Sequence, residues 1–176
     1  MKKIFFYFPL LIIILLGILF YVSLGNNKDI INSPLVGKKI PKFITERLFE
    51  ENDTFSNNDL INNNSLKFIN VWASWCVPCR AEHDVLKIIS NIENVELYGI
   101  NYKDKRENAL NFIETLGNPF KEIGIDADGR TSIEWGVFGV PETFIVYEEK
   151  IIYKHIGPIH LSELEEKIIP IIKDLN

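Results

Sequence analysis

The sequence predicts an α/β domain, with a mixed central sheet covered by helices on both faces, on three observations. An apolar run from Leu66 to Trp72 hands over to a helix-period stretch from Arg80 to Asn91, with Ala81, Val85, Ile88 and Ile92 on one side, and a second β-branched and aromatic run follows from Val95 to Tyr102. That order is a parallel βαβ unit. Two later runs, Thr143–Tyr147 and Ile151–His155, flank Glu148-Glu149-Lys150 and read as an antiparallel hairpin. Ser162 with Glu165 then makes a capping box for a closing helix. A parallel unit continued by an antiparallel hairpin gives a sheet of mixed sense.

Taken in order, the chain opens with Lys2 and Lys3 and then runs from Ile4 to Leu24 without a charged residue. Roughly 21 residues at about 1.5 Å each match a hydrocarbon core of about 30 Å. The two lysines leave the N-terminus in the cytoplasm and send the remainder across the membrane. A cleaved signal peptide is the competing reading, since Ser23-Leu24-Gly25 offers a faint small-x-small site, but the apolar run exceeds an ordinary signal core. An uncleaved anchor over 1–24 is expected. Residues 25–34, from Gly25 to Pro34, have linker composition with Asn26, Asn27, Asn32 and Ser33, and the folded domain is expected over 35–176.

Phe43–Arg47 and Asp53–Phe55 read as short strands around Glu50-Glu51-Asn52, and Asn57–Ile61 as a short helix, an N-terminal addition to the core. Asn62-Asn63-Asn64 is polar loop with no assigned role. After the βαβ unit comes a helix near Arg106–Leu116, capped by Gly117, and an extended segment from Phe120 to Asp126. Asp126-Ala127-Asp128-Gly129 begins like a calcium loop, but Val137 stands where the bidentate Glu is required, so a plain turn is expected. Pro170 is expected to kink or shorten the last helix.

The net charge of −5, from 19 Lys and Arg against 24 Asp and Glu, argues against nucleic acid as a partner. Both cysteines of the chain, Cys76 and Cys79, lie two residues apart where the strand gives way to the helix. Unpaired N–H groups and the dipole at a helix N-terminus favour an anion, so Cys76 is expected to be an exposed thiol that ionises readily and attacks. Cys79, one turn further in, faces the protein and suits a resolving thiol. Other uses of the pair fit less well. A structural disulfide closing so short a loop stabilises by only about 2 kcal/mol. Zinc would have Cys76, Cys79 and His83, one ligand short of a closed site. Covalent haem attachment needs His directly after the second cysteine, and Arg80 is there.

Three spaced stretches, Asn70-Val71-Trp72-Ala73-Ser74-Trp75-Cys76-Val77-Pro78-Cys79-Arg80-Ala81-Glu82-His83, Tyr98-Gly99-Ile100-Asn101-Tyr102-Lys103-Asp104 and Trp135-Gly136-Val137-Phe138-Gly139-Val140-Pro141-Glu142-Thr143-Phe144, closely resemble the DsbE/CcmG thiol:disulfide interchange proteins of cytochrome c maturation, membrane-tethered members of the thioredoxin superfamily. The similarity runs from about Leu35 to the C-terminus. It implies a thioredoxin-like fold, a cis Val140–Pro141 bond lying against the cysteines, and a client segment paired with the backbone of Val140 so that its disulfide meets Cys76. Typical thioredoxins carry a buried aspartate where this chain has Asn70, so Glu82 or Glu142, if partly buried, is expected to exchange the proton of Cys79. Trp72 is read as core, Trp75 as an exposed rim that substrates touch, and His83 as structural.

The resemblance also implies direction and partners. A periplasm-facing reductant, held in the inner membrane by one span, would receive electrons from a transmembrane donor of the DsbD/CcdA type and reduce the disulfide of apocytochrome c or of its haem-ligation partner. No cofactor is expected beyond the redox-active Cys76–Cys79 disulfide. The motif alone would also fit a general periplasmic disulfide oxidase, and a non-catalytic thioredoxin-fold module that binds apocytochrome is the alternative from another class.

Overall fold

The structure is a computed structural model that describes residues 4–25, 33–61 and 65–175. It divides into two units, Met1–Asn32 and Ser33–Asn176. In the first, helix α1 runs Ile4–Gly25 and contains Pro9. Its side chains are described at positions 7 and 9–21, all of them exposed, and among the described residues no helix is long and apolar enough to cross a membrane. Lys2, Lys3, most of the expected linker and Asn62-Asn63-Asn64 lie outside the described residues.

In the second unit the elements are β1 (Ile44–Arg47), β2 (Thr54–Ser56), α2 (Asn57–Ile61), β3 (Leu66–Trp72), α3 (Val77–Ser90), β4 (Val95–Tyr102), α4 (Arg106–Leu116), β5 (Glu122–Asp126), α5 (Arg130–Glu134), β6 (Glu142–Tyr147), β7 (Lys150–Ile156), α6 (Leu161–Glu163), a π-helical segment (Leu164–Ile168) and α7 (Ile169–Leu175). One seven-stranded sheet runs in the order β2-β1-β5-β4-β3-β6-β7. β3 pairs in parallel with β4 and β4 with β5, whereas β6 lies antiparallel to β3 and β7 to β6. This is the expected thioredoxin-like mixed sheet. The N-terminal strands add to it through β1, antiparallel to β5.

β3 is buried at every position, which is why it reads as a continuous apolar run rather than an alternating one. Alternation still divides its side chains. Phe68 and Trp72 join one core cluster with Val85, Leu86 and Ile89 of α3, while Ile69 and Val71 join another with Tyr98, Trp135 and Phe144. Trp72 stacks on Phe120 at 5.8 Å between ring centroids, as a core residue should. Gly99 makes room for it, since a Cβ there would lie 2.9 Å from the Trp72 indole nitrogen.

Several boundaries differ from expectation for identifiable reasons. α3 starts at Val77 rather than Arg80, because Pro78 in the first turn needs no N–H partner and exposed Val77 adds nothing to the apolar period. The segment after β5 is more than a turn. Asp126 Oδ1 accepts from Thr131 N–H at 3.1 Å, and its Oδ2 accepts from Ser132 N–H at 2.8 Å, which starts the unforeseen α5. The hairpin turn is Glu148-Glu149 alone, both with positive φ, and Lys150 already pairs with Tyr147. The last helix begins at Leu161, with His160 N–H donating to Glu163 at 3.3 Å, so the Ser162/Glu165 box is corrected by two residues. Pro170 lacks the N–H that an α-turn would use, and the preceding turns widen into the π segment.

Candidate active site

Cys76 and Cys79 form a disulfide. Cys76 is the N-cap of α3, and its Sγ accepts from Cys79 N–H at 3.1 Å. A donor fixed at this distance favours negative charge on sulfur when the thiol is free. The expectation that Cys76 stands exposed is corrected: it is 4% exposed and Cys79 2%. Capping the helix turns the sulfur back over the first turn, and the exposed groups are its neighbours, Trp75 at 57% and Val77 at 78%.

The strand that leads into this turn is tied from the side. Asp104 Oδ2 accepts from Ser74 N–H at 2.6 Å and from the Asn101 amide at 3.1 Å, and its Oδ1 accepts from Ser74 Oγ–H at 3.0 Å. Trp75 Nε1–H donates to the Lys103 carbonyl at 3.1 Å, which holds the exposed ring as a rim beside Cys76. Asp104 was not among the expected site residues. It lies inside the second of the three resembling stretches, and that is the signal that could have found it.

Glu82 is 1% exposed and lies with Cys79 on the buried side of α3. Asn70 Nδ2–H donates to its Oε1 at 2.9 Å and Ile159 N–H to its Oε2 at 2.8 Å. No cation meets it among the described residues. Burial therefore outweighs the two neutral donors and pushes the Glu82 carboxyl up to about 7. Such a group holds and releases a proton near neutrality.

Glu142, also 1% exposed, is placed differently. It pairs with Val71 in the β3–β6 register, so its side chain points to the sheet face opposite Asn70, where Lys154 Nζ lies 2.8 Å from its Oε2. Its Oε1 accepts from Phe138 N–H at 2.9 Å and Gly139 N–H at 3.3 Å. The two candidate carboxylates thus lie on opposite faces of the sheet. Neither is solvated, but Glu82 has neutral partners and Glu142 a buried ammonium.

The Val140–Pro141 bond is cis, Pro141 is buried and Val140 half-buried. Pro141 C=O accepts from Gly157 N–H at 3.0 Å. Just before them Phe138 is 73% exposed, its ring 4.7 Å from Lys154 Nζ. Phe138 and Lys154 were both missed by sequence reasoning. His83 is buried, donates Nε2–H to Gly117 C=O across 2.8 Å and packs edge-on against Phe112. Burial pushes its imidazole below the usual range, in keeping with a structural residue.

A Redoxin family model matches residues 35–168. The chain is 38% identical over 176 residues to the thiol:disulfide interchange protein DsbE of Tatumella citrea, covering 97% of this chain and 94% of that one. It is 41% identical over 165 residues to the DsbE of Allochromatium vinosum, covering 93% and 90%. Among solved structures, a thiol:disulfide interchange protein DsbE from Chlorobium tepidum superposes with a TM-score of 0.64 at 22% identity, over 78% of this chain and 96% of that one, a likeness of fold.

Proposed function

The chain belongs to the Redoxin family and within it to the DsbE/CcmG thiol:disulfide interchange proteins, and from that premise we propose that it is a membrane-anchored, periplasm-facing reductant serving c-type cytochrome maturation. The observation that carries the chemistry is a redox pair at a helix N-terminus, with a carboxyl poised near neutral pH on the same buried face.

In the reduced protein the Cys76 thiolate attacks one sulfur of a client disulfide. A bond forms to Cys76 Sγ, the client S–S bond breaks, and the second client sulfur leaves as a thiolate that takes up a proton. Glu82 accepts the proton of Cys79. The Cys79 thiolate then attacks Cys76 Sγ, displaces the first client sulfur and closes the Cys76–Cys79 disulfide, so that two electrons have passed to the client. A transmembrane donor of the DsbD/CcdA type returns them. The client is apocytochrome c or its haem-ligation partner, whose cysteines must be reduced before thioethers form.

Trp75 and the cis Val140–Pro141 loop flank the approach, with Val140 offering backbone to an extended client segment. Glu142 holds the loop in place through the Phe138 and Gly139 amides. The apolar run Ile4–Leu24 supplies the single inner-membrane span, with Lys2 and Lys3 inside and the catalytic domain in the periplasm.

A strain lacking the protein should lose c-type cytochromes while keeping other haem proteins, and an added small-molecule thiol should restore them. The couple should be poised below about −180 mV, well away from the roughly −120 mV of a strong oxidant. Rescue by an added oxidant, or a potential at the oxidant end, would replace this function with that of a general disulfide oxidase. Failure to reduce an insulin-like disulfide at all would leave a non-catalytic binding module.

A further inference from the structure

Of the four arginines in the chain, three meet carboxylates: Arg47 pairs with Asp53, Asp59 and Glu122, Arg106 with Glu46, and Arg130 with Asp128. Arg80 is the exception. Among the described residues its side chain has no ion pair and no hydrogen bond, and its guanidinium lies instead 4.9 Å from the centre of the Phe112 ring. An aromatic face holds an arginine in place without using its N–H fork.

That fork borders a cavity of about 300 Å³ lined by Ser74, Arg80, Asn108, Asn111, Phe112 and Thr115. Phe112 is buried, while Asn108, Asn111 and Thr115 are exposed side chains of α4 with no side-chain hydrogen bonds among the described residues. A planar cation, two amides and a hydroxyl, all with free hydrogen-bonding capacity, therefore converge on one small polar hollow. Its position links it to the chemistry, because Arg80 directly follows Cys79 and Ser74 lies two residues before Cys76.

We infer that this hollow is a carboxylate subsite, in which Arg80 with Asn108, Asn111 and Thr115 receives an acidic side chain of the disulfide-bearing client peptide engaged at Cys76. The inference rests on the proposed function and adds to it a preference among clients. A carboxylate matches the arginine fork with two parallel hydrogen bonds, and the amide and hydroxyl groups complete its shell. In a chain of net charge −5, a cation left free beside the redox pair also gives an acidic client a local point of attraction.

The test uses the full chain in neutral detergent, reduced, and two synthetic peptides that share one disulfide and differ only in Glu or Gln a few residues from it. The Glu peptide should be reduced about threefold faster at low ionic strength, the scale of one exposed ion pair. In about 1 M salt the ratio should fall to one, because charges are then screened beyond about 3 Å. Arg80→Gln should bring the ratio to one, and Asn111→Leu should lower it; the ratio is taken within each variant, so that any change in the thiols cancels. Equal rates in the wild type, or an undiminished ratio in Arg80→Gln, would overturn the subsite while leaving the reductase standing. Reduction of neither peptide would overturn the reductase and the subsite with it. A serine-for-cysteine Glu peptide, which has no disulfide, should shift the side-chain amide resonances of Asn108 and Asn111 in the oxidised protein. Unshifted resonances would remove the subsite whatever the kinetics.

Discussion

Asn70 donates its amide to Glu82 across 2.9 Å and to Thr143 Oγ across 3.0 Å, so a neutral side chain sits where a carboxylate occupies the same strand position in typical thioredoxins. The buried carboxyl that Asn70 meets, Glu82, belongs to the helix instead. Among the described residues its charge meets amides but no cation.

Glu82 should therefore make the protein less stable as pH rises. Its folded-state pKa of about 7 lies above the ordinary 4.5, so the folded form binds more protons than the unfolded form between those values. The stabilisation is complete below about 4.5 and is lost as pH rises through about 7, on the order of 3 kcal/mol in all. Urea denaturation at pH 5 and pH 8 checks this. Glu82→Gln should flatten the difference and should also lower the pKa of the free Cys79 thiol, read by thiolate absorbance against pH. A profile unchanged in the variant would release Glu82 from both roles.

Cys79→Ser should leave Cys76 able to attack but with no partner to resolve it, so mixed disulfides with client peptides should accumulate on non-reducing gels. Cys76→Ser should trap none. The reverse pattern would exchange the two roles.

Lys154→Met should cost on the order of 3 kcal/mol, because it strands the Glu142 carboxylate at a position where both side chains of the pair are 1% exposed. Lys154→Met with Glu142→Gln should recover part of that loss. Denaturant midpoints of the two single variants and the double variant measure the coupling.

Asp104→Ala should lower stability by on the order of 1–2 kcal/mol, since the Ser74 N–H and Oγ lose their acceptor. It should also slow attack by Cys76, which follows Ser74 and Trp75 in the chain. Asp104→Asn keeps an acceptor for the Ser74 N–H and should restore most of the rate, a recovery that stopped-flow reduction of a model disulfide would register.

The βαβ unit and the hairpin were legible because β3, β4, β6 and β7 are runs rich in β-branched and aromatic residues. Cys76 and Cys79 were legible from spacing and from their place at a strand-to-helix junction. What was not legible depends on contacts distant in sequence. Lys154 in isolation suggests a solvated strand position, and only its register opposite Phe144 turns it inward toward Glu142. α5 is too short for a hydrophobic period, and its cap comes from the end of β5. Glu82 and Glu142 look alike in the sequence; the sheet separates them, because Asn70 and Val71 point to opposite faces.

The position of β3 in the sheet has a consequence for motion. It is bordered by β4, β5, β1 and β2 on one side and by β6 and β7 on the other, so fraying from either edge has to pass through at least two strands before it reaches Asn70. The backbone beneath the Asn70–Glu82 hydrogen bond is thereby placed among the last parts of the molecule to open. Amide hydrogens of Ile69 and Val71 should exchange with solvent only through near-global unfolding, at rates that report the stability of the whole domain, while those at the outer strands exchange through cheaper local openings.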